Sequence, residues 1–142
     1  MKNDDYYMNV AIMEAKKAAL INEIPVGAVI VEKDTGKIIA KGYNKKEKTK
    51  IVTKHAEIIA VEKANKKKNN WRLNDCIMYT TLQPCSMCKE VIKNAKLMKV
   101  IYGAENTNNG EVNSNDKELK IRNKLLNEEC SKIIKEEFKK YR

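Results

Sequence analysis

One histidine and two closely spaced cysteines are the residues of this chain whose types and spacing could carry out chemistry. His55 is the only histidine in the sequence, Cys85 follows it thirty positions later, and Cys88 completes a Cys-x-x-Cys pair. An imidazole and two thiols are ligands that Zn²⁺ prefers, and three protein ligands leave the fourth position open to water, as in catalytic zinc sites. A structural site would need a fourth protein ligand. The spacing therefore predicts a Zn²⁺ cofactor held by His55, Cys85 and Cys88.

A carboxylate stands two positions after the histidine and has three candidate roles. Glu57 could be a metal ligand, a helix-capping residue or a proton shuttle. Capping is disfavoured because the third residue after Thr53, the nearest good N-cap, is Ala56 and not Glu57. If His55 and Cys85 each begin a helix, two positive helix ends meet at the metal and stabilise thiolates and a nearby carboxylate. We therefore expect Glu57 to be the catalytic residue, a general acid and base beside a water that the metal activates.

The motif and its surroundings resemble a known group of enzymes. His-x-Glu followed by Pro-Cys-x-x-Cys is the signature of zinc nucleobase deaminases. Beyond the motif, the chain resembles the tRNA-specific adenosine deaminases, which convert the wobble adenosine of a tRNA to inosine. The resemblance reaches from about residue 6 to the C-terminus, and its main segments are residues 23–31, 42–44, 80–88, 100–104 and 126–130.

This resemblance implies a fold, a substrate and further site residues. The fold is α/β, a cytidine deaminase-like three-layer α/β/α sandwich with a central mixed five-stranded sheet. Asn44 would hydrogen-bond a flipped base, Val26 and Ala56 would line its pocket, and Asn106 would lie in a loop near the nucleic acid. For Asn44 and Val26, ordinary turn and buried-strand roles are the alternatives that the residues leave open. The substrate would be a tRNA anticodon stem-loop, whose unpaired base is cheap to flip, and the enzyme would work as a homodimer.

Several residues depart from the pattern that the chain resembles. Asn106 stands where Asp is usual, and Gln83 where Glu is usual. None of the departures is a predicted metal ligand or the proton shuttle, so they affect substrate and dimer geometry rather than the chemistry. Because Asn106 removes a negative charge near the nucleic acid, we expect broader tolerance of backbone and sequence context. The remaining departures are Ile51-Val52, Lys54, Lys89-Glu90 and Glu137.

Length and charge limit the choice of partners and compartment. The 142 residues predict a single zinc-dependent deaminase domain over 1–142, and 29 Lys+Arg against 19 Asp+Glu give a formal net charge of +10. This charge suits RNA or an anionic membrane surface, although lysine-rich composition on solvated faces would also produce it. Four cysteines could form two disulfides, but Cys85 and Cys88 are expected to be metal ligands, and the sequence has no targeting signal or membrane span. We therefore expect a cytoplasmic protein. Phosphate contacts are expected from Lys45, Lys46, Lys139, Lys140 and Arg142.

Hydrophobic periodicity predicts the elements that position these residues. We expect a helix at about 5–22, a hairpin of strands at 26–31 and 37–43, a loop at 44–52, and a helix opening at the histidine. A strand at 76–81, a helix to about 95, a strand at 98–103, a loop at 105–115 and one or two helices between Leu119 and Phe138 follow. The resemblance adds a short fifth strand and a C-terminal helix. Trp71 is predicted to be a core anchor, and Cys76 and Cys130 small buried residues.

Two other functions are compatible with these patterns. The first is a deaminase of free nucleobases or nucleosides of the guanine or cytosine type, which the substituted positions favour and the net charge disfavours. The second is a non-catalytic RNA-binding zinc protein, which Glu57 disfavours because a purely structural site does not need that carboxylate.

Overall fold

The computed structural model describes residues 2–106, the backbone of 119–121, and residues 128–133 and 135, and this part of the chain contains both helices and strands. The helices are α1 (Asp4–Leu20), α2 (Lys46–Thr49), α3 (Ala56–Lys68) and α4 (Ser86–Asn94). The strands are β1 (Gly27–Glu32), β2 (Ile38–Tyr43), β3 (Cys76–Leu82), β4 (Lys99–Ala104) and β5 (Leu119–Ile121). Residues 128–133 and 135 are also helical.

The five strands form one mixed sheet in the order β2-β1-β3-β4-β5. Strand β1 pairs antiparallel with both β2 and β3, whereas β3 with β4 and β4 with β5 pair in parallel. The predicted α/β fold with a mixed five-stranded sheet is therefore confirmed.

Helices cover both faces of this sheet. Successive residues of a strand point to opposite faces, so Val29 packs with Tyr7 and Ala11 of α1, while Ile30 packs with Ala60 of α3. Helix α4 joins α3 on the second face through its buried Ile92. Strand β1 is buried on both sides, which explains why its sequence is a continuous apolar run rather than an alternating one. The three-layer sandwich is the predicted one.

Two glycines allow helix backbones to lie directly on the sheet. A Cβ added at Gly27 would lie 2.1 Å from the carbonyl oxygen of Ala11 in α1, and one added at Gly42 would lie 2.5 Å from the carbonyl oxygen of Ala56 in α3. Both distances are far below a van der Waals contact. The hydrogen on Gly42 therefore lets the first turn of α3, which follows His55, pack closely on β2.

Three local predictions were wrong. The segment 44–52 is not simply a loop, since it contains α2. Leu119 and Ile121 belong to β5, because pairing with the edge of β4 satisfies their backbone groups, and the helical spacing of apolar residues did not indicate this. Trp71 is 56% exposed rather than a core anchor, because it lies in the surface segment that follows the end of α3. The Arg72 guanidinium lies over its ring, 5.0 Å from the ring centroid.

The remaining local predictions have mixed outcomes. Cys76 and Cys130 are buried as predicted. Helix α1 ends at Leu20, two residues before its predicted end, and Asn22 has a positive φ. Most of the predicted loop at 105–115, and Phe138, lie outside the described residues.

In the described ranges, no helix has both the length and the apolar character that crossing a membrane would require.

Candidate active site

Two helix N-termini meet at the candidate site. His55 is the N-cap residue of α3 and Cys85 is the N-cap residue of α4, both with extended backbone angles. Neither side chain caps its own helix, so both are available as metal ligands. Cys88 lies three positions after Cys85, in the first turn of α4 and on the same side of that helix. The expectation that His55 and Cys85 each begin a helix is confirmed.

The three predicted metal ligands form one group with the dimensions of a zinc site. The Nδ1 atom of His55 lies 3.7 Å from Cys85 Sγ and 3.6 Å from Cys88 Sγ, and the three ligand atoms are within 4.8 Å of one another. Tetrahedral zinc with Zn–N and Zn–S bonds of about 2.1 and 2.3 Å requires an N···S separation of about 3.6 Å. The donors therefore fit zinc, and the group has three members among the described residues, the number typical of a catalytic site.

The two thiols have opposite acid strengths. The hydrogen bond from Cys88, and after it the one from His55, holds the pKa of Cys85 down to about 4. The same hydrogen bond raises the pKa of Cys88, and burial raises it further. The hydrogen bond with Cys85 also raises the pKa of His55. Metal binding requires both thiols as thiolates, so it would be accompanied by release of protons.

Glu57 lies beside this group in the first turn of α3. Glu57 is only 4% exposed, and Cys85, His55 and Cys88 all influence the pKa of its carboxyl group. Burial, more than the nearby charge of Cys85, raises the pKa of Glu57 to about 7. A carboxyl group with a pKa close to neutrality can both take up and release a proton at physiological pH. The geometry therefore suits a proton shuttle, and the catalytic role of Glu57 remains a prediction.

Three of the predicted substrate-binding residues lie together on the histidine side of the site. Asn44 follows the end of β2 and is buried, and its backbone N–H donates to the carbonyl oxygen of Val26 at 3.2 Å. Val26 and Ala56 belong to the same hydrophobic cluster. The Asn44 side chain donates to the carbonyl oxygen of Ile24 at 3.3 Å and accepts from the N–H of Lys46 at 3.1 Å. Contact of these residues with a base stays a prediction.

Asn106 lies on the cysteine side. Its backbone N–H donates to Gln83 Oε1 at 3.2 Å, and its side-chain amide donates to the Gln83 carbonyl oxygen at 3.4 Å. Gln83 is buried and immediately precedes the buried Pro84 and then Cys85. These hydrogen bonds connect Asn106, which follows β4, to the turn that precedes Cys85.

Comparison with known proteins identifies the family. The family model for the cytidine and deoxycytidylate deaminase zinc-binding region matches residues 1–104. The chain belongs to this family. A tRNA-specific adenosine deaminase of Streptococcus pyogenes serotype M1 is 37% identical over 151 residues, covering 100% of this chain and 87% of that protein. The chloroplastic tRNA(adenine(34)) deaminase of Arabidopsis thaliana is 46% identical over 103 residues, which are 72% of this chain and 8% of that protein.

Solved structures of deaminases are similar to this one. A structure from studies of A-to-I editing by tRNA:A34 deaminases at the wobble position of transfer RNA has a TM-score of 0.75 at 30% identity, covering 83% of this chain and 98% of that one. Guanine deaminase from Bacillus subtilis has a TM-score of 0.71 at 37% identity, covering 81% of this chain and 73% of that one. Both the predicted family resemblance and the predicted fold are confirmed.

Within this deaminase family member, sequence reasoning missed one buried residue near the site. Glu23 is 1% exposed, and its carboxylate accepts hydrogen bonds from the backbone of α2. Its partners are 24 and 25 positions away along the chain. Spacing within the local sequence therefore contained no signal for this contact.

Proposed function

We propose that this protein is a zinc-dependent hydrolase that deaminates adenosine to inosine at the wobble position of a tRNA anticodon loop. The observation that carries the proposal is the buried Glu57 carboxylate beside the group of His55, Cys85 and Cys88 at two helix N-termini. Similarity to the tRNA-specific adenosine deaminase of S. pyogenes along the full length of the chain supports the choice of substrate.

The chemistry requires one proton shuttle. His55, Cys85 and Cys88 would hold the zinc ion, which when bound would supply the Lewis acidity that activates a water molecule. Glu57 takes a proton from that water as its oxygen adds to C6 of adenine, and gives a proton to the adjacent ring nitrogen. Glu57 then takes the proton of the C6 hydroxyl group and delivers it to the departing amine, the C6–N bond breaks, and ammonia leaves as the C6 carbonyl of inosine forms. The pKa of about 7 suits Glu57 to both directions of proton transfer.

Recognition of the flipped base and the RNA is assigned to residues on both sides of the site. Asn44, Val26 and Ala56 would hold the base on the histidine side, and Asn106 would lie near the nucleic acid on the cysteine side. Lys45 and Lys46 would contact phosphates, and binding would weaken as salt is raised. Three further predicted phosphate contacts, Lys139, Lys140 and Arg142, lie outside the described residues.

The assembly and compartment are part of the same proposal. We infer a cytoplasmic homodimer of single-domain subunits spanning residues 1–142. Ile51 and Val52, at 46% and 68% exposure, lie shortly before His55, so a partner subunit or RNA covering them would lie close to the site. Sedimentation of the zinc-loaded protein would test the dimer, and a monomer at micromolar concentration would contradict it.

A second candidate function is deamination of a free purine base. The 37% identity to guanine deaminase from B. subtilis favours it. The net charge of +10 and the full-length similarity to a tRNA-specific enzyme favour RNA instead. Both candidates use the same zinc ligands and the same carboxylate, so the choice concerns the substrate alone.

Ammonia release from a panel of substrates tests the proposal. The panel is an anticodon stem-loop with a wobble adenosine, the same stem-loop with a wobble guanosine, free adenosine, free guanine and free cytosine. We expect release from the adenosine stem-loop alone, with inosine as the product. Release from free guanine and none from the adenosine stem-loop would overturn the tRNA assignment in favour of the second candidate. Inactivity of the folded, metal-loaded protein on the whole panel would overturn both.

A further inference from the structure

Glu23 links two segments that are distant in sequence. It lies between α1 and β1, and its side chain is almost completely buried. One carboxylate oxygen accepts a hydrogen bond from the backbone N–H of Glu47 at 3.0 Å, and the other accepts one from the N–H of Lys48 at 2.7 Å. Both donors lie in the first turn of α2, where an N–H group has no partner within the helix.

The residues after Glu23 hold the same segment. The carbonyl oxygens of Ile24 and Val26 accept hydrogen bonds from the side chain and the backbone of Asn44, at 3.3 and 3.2 Å. Residues 23–26 therefore accept hydrogen bonds from four N–H groups that belong to residues 44–48. The N–H of Lys45 in turn donates to the carbonyl oxygen of Lys54, the residue before His55, at 2.9 Å. One end of this network thus reaches the residue that precedes the predicted metal ligand His55.

Helix α2 depends on contacts from outside itself. It has only four residues, none of them buried, and its N-cap residue Lys45 makes no side-chain capping bond. A helix this short is unstable alone because nucleation fixes several backbone angles for each hydrogen bond gained. The Glu23 carboxylate provides the missing cap from another part of the chain, as a charged acceptor at the positive end of the helix.

We propose that Glu23 is a positioning residue for RNA binding: it holds α2, and thereby orients Asn44, Lys45 and Lys46 towards the anticodon loop. This inference rests on the proposed function, because it assumes that the segment 44–48 faces the RNA. Glu23 acts through α2 and has no part in proton transfer. Its loss should therefore weaken binding of the substrate much more than it slows turnover.

The Glu23→Gln variant tests this role, because the amide can accept from only one of the two N–H groups. Losing a hydrogen bond to a charged group should raise KM for the adenosine stem-loop about tenfold and leave kcat within about twofold of wild type. Amide hydrogen exchange at Glu47 and Lys48 should become about tenfold faster, with exchange in β1 and β3 unchanged. Unchanged amide exchange, or faster exchange with an unchanged KM, would overturn the proposal.

Glu14→Gln is the matched control. Glu14 is also a buried carboxylate, 4% exposed, but its ion pair is with Lys17 of the same helix at 2.6 Å. We expect this variant to leave the exchange of α2 amides and KM unchanged. If it raises KM as much as Glu23→Gln does, a general loss of stability explains both effects and the positioning role is wrong.

A second variant removes a donor instead of the acceptor. Lys48→Pro deletes one of the two N–H groups and leaves Glu23 in place, and this N–H has no partner within the helix because Lys48 lies in the first turn. With Lys48→Gln as the control for the lost charge, we expect the proline variant to have the higher KM. Equal KM values for the two variants would contradict the proposal, even if Glu23→Gln does not fold.

Binding of the stem-loop, measured by fluorescence anisotropy, separates this inference from the proposed function. A wild-type protein that binds the stem-loop without converting adenosine would overturn the proposed function. The role of Glu23 would then be decided by the dissociation constants, which should differ about tenfold between wild type and Glu23→Gln. A wild-type protein that does not bind the stem-loop would overturn both.

Discussion

Asn106 and Gln83 bind each other through two hydrogen bonds that involve the backbone of each residue. The Asn106 N–H donates to the Gln83 side chain, and the Asn106 side chain donates to the Gln83 carbonyl oxygen. Both positions carry an amide where the pattern that the chain resembles has a carboxylate. An aspartate at position 106 would have no proton to donate to that carbonyl. The two departures from the pattern are therefore in direct contact, and the second of their two hydrogen bonds depends on an amide at position 106.

Asn106→Asp should weaken RNA binding. The new carboxylate would face the Gln83 carbonyl oxygen, and it would add a negative charge near the phosphates. We expect KM for the adenosine stem-loop to rise roughly tenfold, a typical effect of losing a buried partner. Asn94→Asp, an exposed position on α4, changes the net charge equally and serves as the control. Equal KM values for the two variants would mean that the contact with Gln83 has no influence on the substrate.

Lys46→Gln should reduce both the affinity for RNA and its dependence on salt. A lysine that neutralises one phosphate contributes about 0.7 to 0.9 to the slope of log K against log salt concentration. The measurement is a titration of the stem-loop at several salt concentrations. Lys33→Gln is the control, since Lys33 lies between β1 and β2, at the end of the hairpin away from Asn44. If the slope of log K against log salt concentration falls equally in both variants, Lys46 is not part of the RNA-binding surface.

Gly42→Ala should destabilise the protein and reduce activity. The added methyl group would lie 2.5 Å from the carbonyl oxygen of Ala56 and 3.0 Å from the backbone nitrogen of Ala60, so α3 must move away from β2. Overpacking of this kind typically costs about 1 to 3 kcal/mol. Urea denaturation measures the loss, and activity should fall too because α3 carries Glu57. A free energy of unfolding within about 0.5 kcal/mol of wild type would show that α3 does not pack this closely.

Lys68→Met should alter stability in a pH-dependent way. Lys68 binds the carboxylates of Glu32 and Asp75, and these hydrogen bonds lower the pKa of both. A carboxylate with a lowered folded-state pKa stabilises the fold above its ordinary pKa of about 4, and this stabilisation is lost as pH falls through the folded-state value.

We therefore expect the Lys68→Met variant to have a lower Tm than wild type at neutral pH, with a difference that shrinks as the solution becomes acidic below about pH 4. Lys67→Met, at the exposed neighbouring position, should have the wild-type profile. A Tm difference that is constant across this range would mean that the two carboxylates are not responsible.

The central chemistry was predictable because it depends on residue types and short spacings. One histidine, a Cys-x-x-Cys pair and Glu57 define the candidate site, and the positions of His55 and Cys85 at helix starts followed from the same pattern. The order of helices and strands was also predictable, because β1 has a long apolar run and α1 a helical repeat.

Features that depend on distant contacts were not predictable. The carboxylate of Glu23 caps α2 from 24 residues away, so neither the buried acid nor the short helix has a local signal. The segment Leu119–Ile121 forms a strand because it pairs with the edge strand β4, although the spacing of its apolar residues suggested a helix. Exposure of Trp71 depends on where α3 ends relative to the sheet, which side-chain hydrophobicity does not determine.

The most direct test is inosine formation on an anticodon stem-loop with a wobble adenosine, by wild type and by Glu57→Gln at equal zinc content. We predict conversion by wild type and a rate lower by about 10²- to 10⁴-fold for the variant, since the amide cannot carry the proton. An equally fast variant would contradict the role of Glu57. Folded, zinc-loaded wild-type protein that leaves the adenosine unchanged would contradict the proposed function.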